Sequence, residues 1–155
     1  MSKSLKRVRA ALETAGIDSE IREMSEGTRT AADAARAVGC AIDQIAKSII
    51  FRGTQSGHVV LFLTAGGHQV DTDKASDLAG EALGKADAAL VRAETGFAIG
   101  GVSPVGLISP VRAFFDPRLL EFDTVWAAAG TPRHVFSAAP RALISACGAL
   151  PGSFT

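Results

Sequence analysis

Two short apolar segments separated by a glycine-bounded turn constrain the fold more than any other part of the sequence. They read Ile45-Ala46-Lys47-Ser48-Ile49-Ile50-Phe51 and Val59-Val60-Leu61-Phe62-Leu63-Thr64, and the turn between them runs from Gly53 to Gly57. Both segments are rich in β-branched and aromatic residues, and the loop has the length of a hairpin connection. We therefore predict two adjacent antiparallel strands at the centre of a sheet.

The other segments switch between helical and extended patterns without a regular order. An amphipathic pattern predicts a surface helix from Leu5 to Ala15, and either Thr28 or Thr30 is expected to cap a second helix that Gly39 ends. Further helices are predicted from Val70 to Gly84 and from Pro140 to Cys147, and further strands at 17–24, 88–91, 111–115, 122–127 and 134–136. This mixture favours an α+β fold with a mixed or barrel-like sheet.

Length and composition fit one domain, which we take as residues 1–155. The chain has 47% hydrophobic and 21% charged residues, and no apolar run approaches the roughly 18 residues of a membrane span. The charged N-terminus is not followed by an apolar signal core, so a cytoplasmic protein without membrane contact is expected. Sixteen basic residues balance sixteen acidic ones. Because DNA-binding surfaces usually show a basic excess, DNA is not an expected partner, and any contact with nucleic acid should be local.

Common catalytic and metal-binding motifs are missing from the sequence. His58, His68 and His134 lack the spacing of a zinc site, and Cys40 and Cys147 lie far apart. The sequence contains no G-x-S-x-G motif, no phosphate-binding GK[ST] motif and no dinucleotide fingerprint. We therefore expect neither a metal nor a cofactor.

A glycine-rich loop is the first candidate for a binding site. It reads Phe97-Ala98-Ile99-Gly100-Gly101-Val102-Ser103-Pro104-Val105-Gly106. Glycine and proline disfavour both helix and strand here, and a backbone without Cβ atoms lets N–H groups approach a ligand. Ser103 has no histidine and aspartate placed by sequence to activate it, so its hydroxyl is expected to support the loop rather than act as a nucleophile.

Lys47 is a cation in an otherwise apolar strand. Alternation places it on the same face as Ile49 and Phe51. Such a lysine either extends to water at the edge of the sheet or points into a pocket. Together with the glycine loop and a second turn, Ala128-Ala129-Gly130-Thr131-Pro132, this cation provides what an anion or a carbonyl oxygen requires.

Taken in order along the chain, the lysine strand, the segment Val70-Asp71-Thr72-Asp73-Lys74, the glycine loop and the Gly130 turn resemble the YbaK/EbsC family. Its members are aminoacyl-tRNA deacylases related to the editing insertion domain of bacterial prolyl-tRNA synthetase. The resemblance extends from Ala31 to Gly148. It implies an α+β fold in which helices flank a central mixed, barrel-like sheet, the fold of the prolyl-tRNA synthetase-associated domain. It also implies hydrolysis of the ester between a wrong amino acid and the 3′-terminal adenosine of tRNA.

The resemblance also implies roles for individual residues. Lys47 matches the functional lysine of the family, and Gly101 with Pro104 matches its G-x-x-x-P substrate loop. Gly130, followed here by Thr131, lies where family members place another pocket residue. The expected catalytic residues are thus Lys47 and Gly101. The expected substrate-binding residues are Gly100, Val102, Ser103, Pro104, Gly130 and Thr131.

The expected chemistry follows from the ester. The Gly101 N–H would stabilise the charge that develops on the carbonyl oxygen, and protonated Lys47 would hold a phosphate or polarise the carbonyl. No protein nucleophile is assigned, because a positioned water or a group of the substrate can attack an ester. The expected partner is the aminoacyl 3′ end of tRNA carrying Cys, Ala, Ser or Thr, with tRNA(Pro) as the first choice. A prolyl-tRNA synthetase is a candidate supplier of affinity for the whole tRNA.

Several questions stay open in the sequence. His134 is an uncertain counterpart of a histidine in the synthetase editing domain. A non-catalytic module that binds an aminoacyl or nucleotide end with the same pocket is the main alternative function, and a deacylase fold that has lost its activity is a third. Incubation with a panel of mischarged tRNAs separates these possibilities.

Overall fold

The computed structural model describes residues 2–25 and 30–155. Its strands are β1 Ile21–Glu23, β2 Ile45–Gly53, β3 Val59–Ala65, β4 Leu83–Lys85, β5 Arg112–Phe115, β6 Val125–Ala128, β7 His134–Ala138 and β8 Leu150–Pro151. Its helices are α1 Lys3–Thr14, α2 Ala31–Val38, α3 Thr72–Ala79, α4 Ala88–Thr95 and α5 Pro140–Cys147, with short 3-10 helices at Ile42–Gln44 and Pro117–Glu121. No helix in this described part is long and apolar enough to cross a bilayer.

All the strands belong to one mixed sheet. Its order is β1-β7-β6-β2-β3-β5-β8, and β4 also pairs with β2. The pairs β2 with β6, β3 with β5 and β5 with β8 are parallel, and the others are antiparallel. Helices flank this sheet, which confirms the expected α+β class.

The predicted hairpin forms the centre of the sheet. β2 and β3 pair antiparallel from Ala46 to Arg52 of β2, and Lys47 lies opposite Thr64. Every residue of β3 is buried. A strand with helices or loops on both faces is expected to be apolar at every position, and the continuous run of β3 shows this pattern.

The two edges of β2 are paired differently, and this difference creates a gap. One edge pairs with β3 along most of its length. The other edge pairs with β6 only at Ile45 and Ala46 and with β4 only from Phe51 to Gly53. Residues 47–50 of β2 therefore have no strand neighbour on that edge within the described part of the chain. We call this opening the β2 notch.

Both faces of the sheet carry an apolar core. On one face α1 buries Leu5, Val8 and Leu12 in the main core. On the other face the ring of Phe62 packs against those of Phe114 and Phe154, with centroid distances of 5.2 and 5.0 Å. The C-terminal residues are thereby held against the sheet.

Two helix predictions are confirmed by their caps. The hydroxyl of Thr30 accepts a hydrogen bond from the Asp33 N–H at 3.1 Å, so Thr30 is the N-cap of α2. The alternative cap, Thr28, lies outside the described residues. The helix predicted from Pro140 ends at Gly148, which is in the left-handed region at φ 68°.

Several other predicted boundaries were wrong. Residues 88–91 form the start of α4 rather than a strand, because the Asp87 carboxylate caps the Leu90 N–H at 2.8 Å. The helix predicted up to Gly84 ends at Gly80, since that residue adopts φ 74°. Gly84 instead belongs to β4 and pairs with Arg52.

Further strand predictions were misplaced. The predicted strand at 17–24 shrinks to Ile21–Glu23, and the one at 122–127 begins only at Val125. The two-residue strand β8 was not predicted. β1 and β8 depend on pairing with strands distant in the sequence, which no local pattern encodes, and the start of β6 is determined by its pairing with β7.

Candidate functional site

A cavity of about 490 Å³ opens at the β2 notch. Lys47, Ser48 and Ile50 of β2 line it along the unpaired edge, and Ala127 of β6 lies on the opposite side. Backbone groups on an unpaired strand edge need hydrogen-bond partners from water or a ligand. The notch therefore gives the cavity a polar backbone wall as well as apolar side chains.

Apolar residues make up a second wall. Ala31 and Ala34 of α2 line the cavity together with Ile45 and Trp126. The α2 residues are presented by a helix whose N-terminus is fixed by the Thr30 cap. This wall suits an apolar or weakly polar side chain of a substrate.

The glycine loop closes the cavity from a third side through Gly100 and Val102. The Ser48 hydroxyl donates a hydrogen bond to the Val102 carbonyl at 2.8 Å and so joins the loop to β2. Within residues 2–25 and 30–155, neither the Gly100 N–H nor the Val102 N–H has a hydrogen-bond acceptor. These two backbone donors lie in residues that line the cavity.

The structure changes the interpretation of Gly101. Its N–H donates to the Ala98 carbonyl at 3.0 Å, so it is engaged within its own turn and is not free to hold a carbonyl oxygen. A Cβ at Gly101 would lie 2.9 Å from the backbone Cα and C of Thr131. Gly101 therefore allows close packing of the glycine loop against the second turn. The assignment of its N–H as the donor to the substrate is corrected accordingly.

Three other predicted substrate-binding residues lie behind the cavity surface. Ser103 and Pro104 are buried, and the Ser103 hydroxyl accepts a hydrogen bond from the Val105 N–H at 3.1 Å. Gly130 is also buried, at φ 96°. None of the three is among the described residues that line the cavity. The G-x-x-x-P spacing itself falls on Gly100 and Pro104, since three residues separate them.

Lys47 is half-buried, and its ammonium donates to the backbone carbonyl of His68 at 2.6 Å. Burial lowers the pKa of Lys47 below its ordinary value, and the negative charges of Asp116 and Asp43 oppose this effect. The lysine thus lines the cavity while its charged end is held beside two carboxylates.

The turn that supplies the His68 carbonyl is itself tightly held. Asp116, almost completely buried, accepts hydrogen bonds from the Ala65 N–H at 3.0 Å and forms one with Nδ1 of the His68 ring at 2.8 Å. Asp43 accepts from the Gly67 N–H at 2.8 Å. The two carboxylates fix the turn, and the turn fixes Lys47.

This support was not predicted from the sequence. Asp116 also caps the short helix that follows it, since it accepts from the Arg118 N–H at 3.0 Å. His68 was considered only as a metal ligand. The adjacency of Asp116 to a predicted strand end was the available signal, but the residue it would contact was not visible in the sequence.

The sequence did not decide whether His134 belongs to the site, and the structure places this residue on the cavity surface. Its Nδ1 lies 2.6 Å from the Thr131 hydroxyl, which also accepts from the Arg133 N–H at 3.2 Å. The Thr131 hydroxyl therefore links the imidazole to the second turn. The other ring nitrogen, Nε2, lies 3.9 Å from a Glu23 carboxylate oxygen.

No group of three or more His, Cys, Asp or Glu side chains suited to a metal ion occurs among residues 2–25 and 30–155. The two cysteines, Cys40 and Cys147, are unpaired thiols. Burial raises the pKa of both, which disfavours the reactive thiolate. The polar side-chain groups that line the cavity are the ammonium of Lys47, the imidazole of His134, the indole of Trp126 and three hydroxyls, those of Thr30, Ser48 and Thr131.

Comparison with known proteins assigns this arrangement to a family. The sequence profile described as the aminoacyl-tRNA editing domain matches residues 25–146. The chain belongs to the aminoacyl-tRNA editing domain family. The matched region contains the β2 notch, the glycine loop and His134, whereas α1 and β1 of this editing domain lie before it.

The chain is also similar to individual proteins along nearly its whole length. The editing domain is 31% identical over 140 residues to YwhH of Bacillus subtilis (strain 168), an uncharacterized protein, and the match covers 90% of this chain and 88% of YwhH. A crystal structure described as a candidate trans-editing enzyme for prolyl-tRNA synthetase has a TM-score of 0.91 and 44% identity, over 100% of this chain and 98% of that one. The hypothetical protein APE2540 has a TM-score of 0.85 and 28% identity, over 96% and 98% of the two chains.

Proposed function

We propose that this editing domain hydrolyses the ester of a mischarged aminoacyl-tRNA that carries a small amino acid, with tRNA(Pro) as the first tRNA to test. The observation that carries the proposal is the small cavity at the β2 notch, where the Lys47 ammonium and the glycine loop lie on different walls. The similarity to a candidate trans-editing enzyme for prolyl-tRNA synthetase supports the choice of tRNA.

The walls of the cavity suit an apolar or weakly polar side chain. Ala31, Ala34 and Ala127 line the space that a substrate side chain would enter. Size discrimination in an apolar pocket is worth only about 1–3 kcal/mol per methylene, so amino acids of similar size must be compared directly. Alanine, cysteine, serine and threonine are the amino acids to test.

Lys47 acts in the protonated form. Its ammonium holds a phosphate of the terminal nucleotide or polarises the ester carbonyl, in exchange for the His68 carbonyl that it contacts in the free protein. The Asp116 and Asp43 charges favour this protonated form against the effect of burial.

The backbone donors of the glycine loop stabilise the developing oxyanion. The N–H groups of Gly100 and Val102 replace the Gly101 N–H in this role, because the Gly101 donor is engaged with Ala98. In known enzymes a preorganised donor of this type contributes roughly 3 kcal/mol to transition-state stabilisation. Because these N–H groups are already oriented, they do not have to reorganise as negative charge develops on the carbonyl oxygen.

The attacking group is a water molecule, because a substrate hydroxyl that attacked the carbonyl carbon would only transfer the ester to another oxygen, and water would still be needed to release the amino acid. The Ser48 hydroxyl is committed to the Val102 carbonyl and is not assigned as the nucleophile. With water as the nucleophile, its oxygen bonds to the carbonyl carbon, the bond from that carbon to the ribose oxygen breaks, and the ribose oxygen takes up a proton. The products are a free amino acid and an uncharged tRNA.

The chain has no net charge with which to hold a whole tRNA. A prolyl-tRNA synthetase, or another protein that binds the tRNA body, supplies the remaining affinity. This role places the protein in the cytoplasm, where tRNA is charged and used.

A panel of charged tRNAs tests the proposal. tRNA(Pro) carrying Ala, Cys, Ser, Thr or Pro is incubated with wild type, Lys47→Ala and Lys85→Ala, which changes an exposed lysine on β4. We expect at least one mischarged species to be deacylated, at least a tenfold slower reaction with Lys47→Ala, and no change with Lys85→Ala.

Two other outcomes would contradict parts of the proposal. If wild type accelerates the loss of no amino acid, the enzyme assignment is wrong, and retained binding of the charged tRNA would then favour the non-catalytic module. If Lys47→Ala reacts as fast as wild type, the role given to Lys47 is wrong.

A further inference from the structure

We propose that helix α1, which precedes the matched editing region, positions the glycine loop of the site, and that Arg7 is the residue through which it does so. The geometric part of this inference is independent of the reaction, and its effect on turnover rests on the proposed function. α1 was predicted only as a surface helix, whereas in the structure the Arg7 side chain contacts the glycine loop.

The guanidinium of Arg7 joins the two ends of the glycine loop. Its Nε donates to the Gly106 carbonyl at 2.7 Å, and its Nη2 donates to the Gly96 carbonyl at 2.7 Å. Its central carbon lies 4.5 Å from the centre of the Phe97 ring. A planar guanidinium can make two hydrogen bonds and a stacking contact at once, which a lysine ammonium cannot reproduce.

The backbone of α1 also lies directly against both glycine turns. A Cβ at Gly106 would be 3.2 Å from the backbone C and O of Arg7, and a Cβ at Gly130 would be 2.9 Å from the Ser4 carbonyl oxygen. Both glycines have positive φ, 77° and 96°. Their lack of a side chain therefore serves the approach of the helix as well as the shape of the turns.

These contacts affect the shape of the cavity because they hold the glycine loop that lines it. Gly100 and Val102 line the cavity between the two ends that Arg7 holds. The hydrogen bond from Ser48 to Val102 fixes the middle of the loop. If the ends move apart, the backbone donors next to that fixed point change direction, so Arg7 controls donor geometry without touching the substrate.

A general stabilising role is the alternative to be separated from positioning. α1 also buries Leu5, Val8 and Leu12 in the main core, and loss of those contacts would weaken the whole fold. The Arg7 side chain instead forms hydrogen bonds with the two ends of the glycine loop. Its removal should therefore act locally, and amide hydrogen exchange reports local and global opening separately.

The test compares Arg7→Met and Arg7→Lys with Arg9→Met, which changes an exposed arginine on the same helix. Hydrogen exchange is measured in segment 97–106 and in the buried strand β3, and kcat and KM are measured with the best substrate of the tRNA panel. For Arg7→Met we expect at least tenfold faster exchange in 97–106, unchanged exchange in β3 and about a tenfold lower kcat. Arg7→Lys, which keeps the charge and the aliphatic stem, should fall between Arg7→Met and wild type, and Arg9→Met should match wild type.

Two results would overturn the proposal. One is wild-type exchange in 97–106 for Arg7→Met, and the other is an equal increase in 97–106 and β3, which would show a general effect on stability. If Arg7→Met does not fold, the same comparison is made with Arg7→Lys. Wild type that deacylates nothing would overturn the proposed function, while the exchange measurements would still decide whether Arg7 positions the loop.

Discussion

The Lys47 ammonium donates to the backbone carbonyl of His68 at 2.6 Å, and it forms no ion pair with a carboxylate in the described part of the chain. A carbonyl acceptor holds an ammonium less firmly than a carboxylate does, because it carries only a partial charge. Lys47 is therefore positioned by the turn that contains His68 but remains available to a substrate that offers a full negative charge.

The protonation of Lys47 predicts the alkaline limit of activity. Burial lowers its pKa below the ordinary value of 10.5, so the ammonium is lost as pH rises through this lowered value. We expect the deacylation rate, corrected for spontaneous hydrolysis, to begin to fall at a pH below 10.5, which gives the pH profile an alkaline limb. The residual rate of Lys47→Ala should lack that limb. The unfolded chain binds more protons than the folded one between the two pKa values, so this residue's contribution to stability increases with pH there. A wild-type rate that keeps rising beyond pH 10.5 would contradict the assignment.

Asp116→Asn should move that alkaline limb to lower pH. The Asp116 carboxylate raises the pKa of Lys47 against the effect of burial, and the amide removes its charge. It also weakens hydrogen bonds of a buried group, at a cost of about 1–3 kcal/mol in stability. The control is Glu81→Gln, which removes a largely buried carboxylate paired with Arg112 rather than with the Lys47 turn. An unshifted pH profile in a folded Asp116→Asn protein would show that the carboxylate does not act on Lys47.

Gly100→Ala and Gly101→Ala should both disturb the glycine loop, but for different reasons. A Cβ at Gly100 meets nothing within 4 Å, but its φ of 91° strains a residue with a side chain, at a cost of about 1–3 kcal/mol. A Cβ at Gly101 would strike the Thr131 backbone at 2.9 Å and push the two turns apart. We expect Gly101→Ala to perturb backbone NMR signals around Thr131 and His134, whereas Gly100→Ala leaves that turn unchanged. Equal perturbation of the Thr131 turn by both variants would argue against the packing role of Gly101.

Ser48→Ala tests the link between β2 and the glycine loop. It removes the 2.8 Å hydrogen bond to the Val102 carbonyl. A hydrogen bond of this kind contributes about 1 kcal/mol to stability, so the unfolding midpoint should fall modestly. The rate should fall further than this loss explains, because the donors at Gly100 and Val102 lose their fixed point. An unchanged kcat and KM would show that the loop holds its geometry without Ser48.

Thr131→Val tests the orientation of His134. Valine keeps the shape of threonine but cannot hydrogen bond to Nδ1 of the imidazole, which lies 2.6 Å from the hydroxyl. We expect the His134 ring to lose its hydrogen bond at Nδ1, seen as a change in its nitrogen NMR shifts, and the deacylation rate to fall severalfold. Thr124→Val, at an exposed position before β6, should change neither. If Thr131→Val leaves the ring signals unaltered, the hydroxyl does not orient His134.

Local patterns in the sequence were sufficient for the parts of the fold that depend on local forces. The β2–β3 hairpin, the Thr30 cap and the α5 helix were predicted from alternation, capping oxygens and glycine stops. The Asp87 cap was equally local, yet the short apolar run after it was interpreted as a strand. A run of four apolar residues fits either structure, and length and flanking residues must decide between them.

The site was harder to predict because its geometry depends on distant contacts. Lys47 and the glycine loop stood out by residue type. The hydrogen bonds of Arg7, in contrast, span 99 and 89 positions, and the contact of His68 with Asp116 spans 48. No periodicity connects residues so far apart. The notch itself exists because β4 and β6, also distant in sequence, pair with separate ends of β2.

The pairing of β1 with β7 has a consequence for when the site can first exist. It joins two strands that are far apart in the sequence, and the Ser19 hydroxyl donates to the Ser137 carbonyl across 118 positions. Contacts of such sequence separation form slowly, since a long loop must close before they contribute. The cavity, with walls from Met24 to Val135, cannot be completed on a growing chain until β7 has been synthesised. Ribosome-bound precursors that lack β7 should carry the central hairpin but an incomplete cavity, so the cavity forms in one step when β7 joins the sheet.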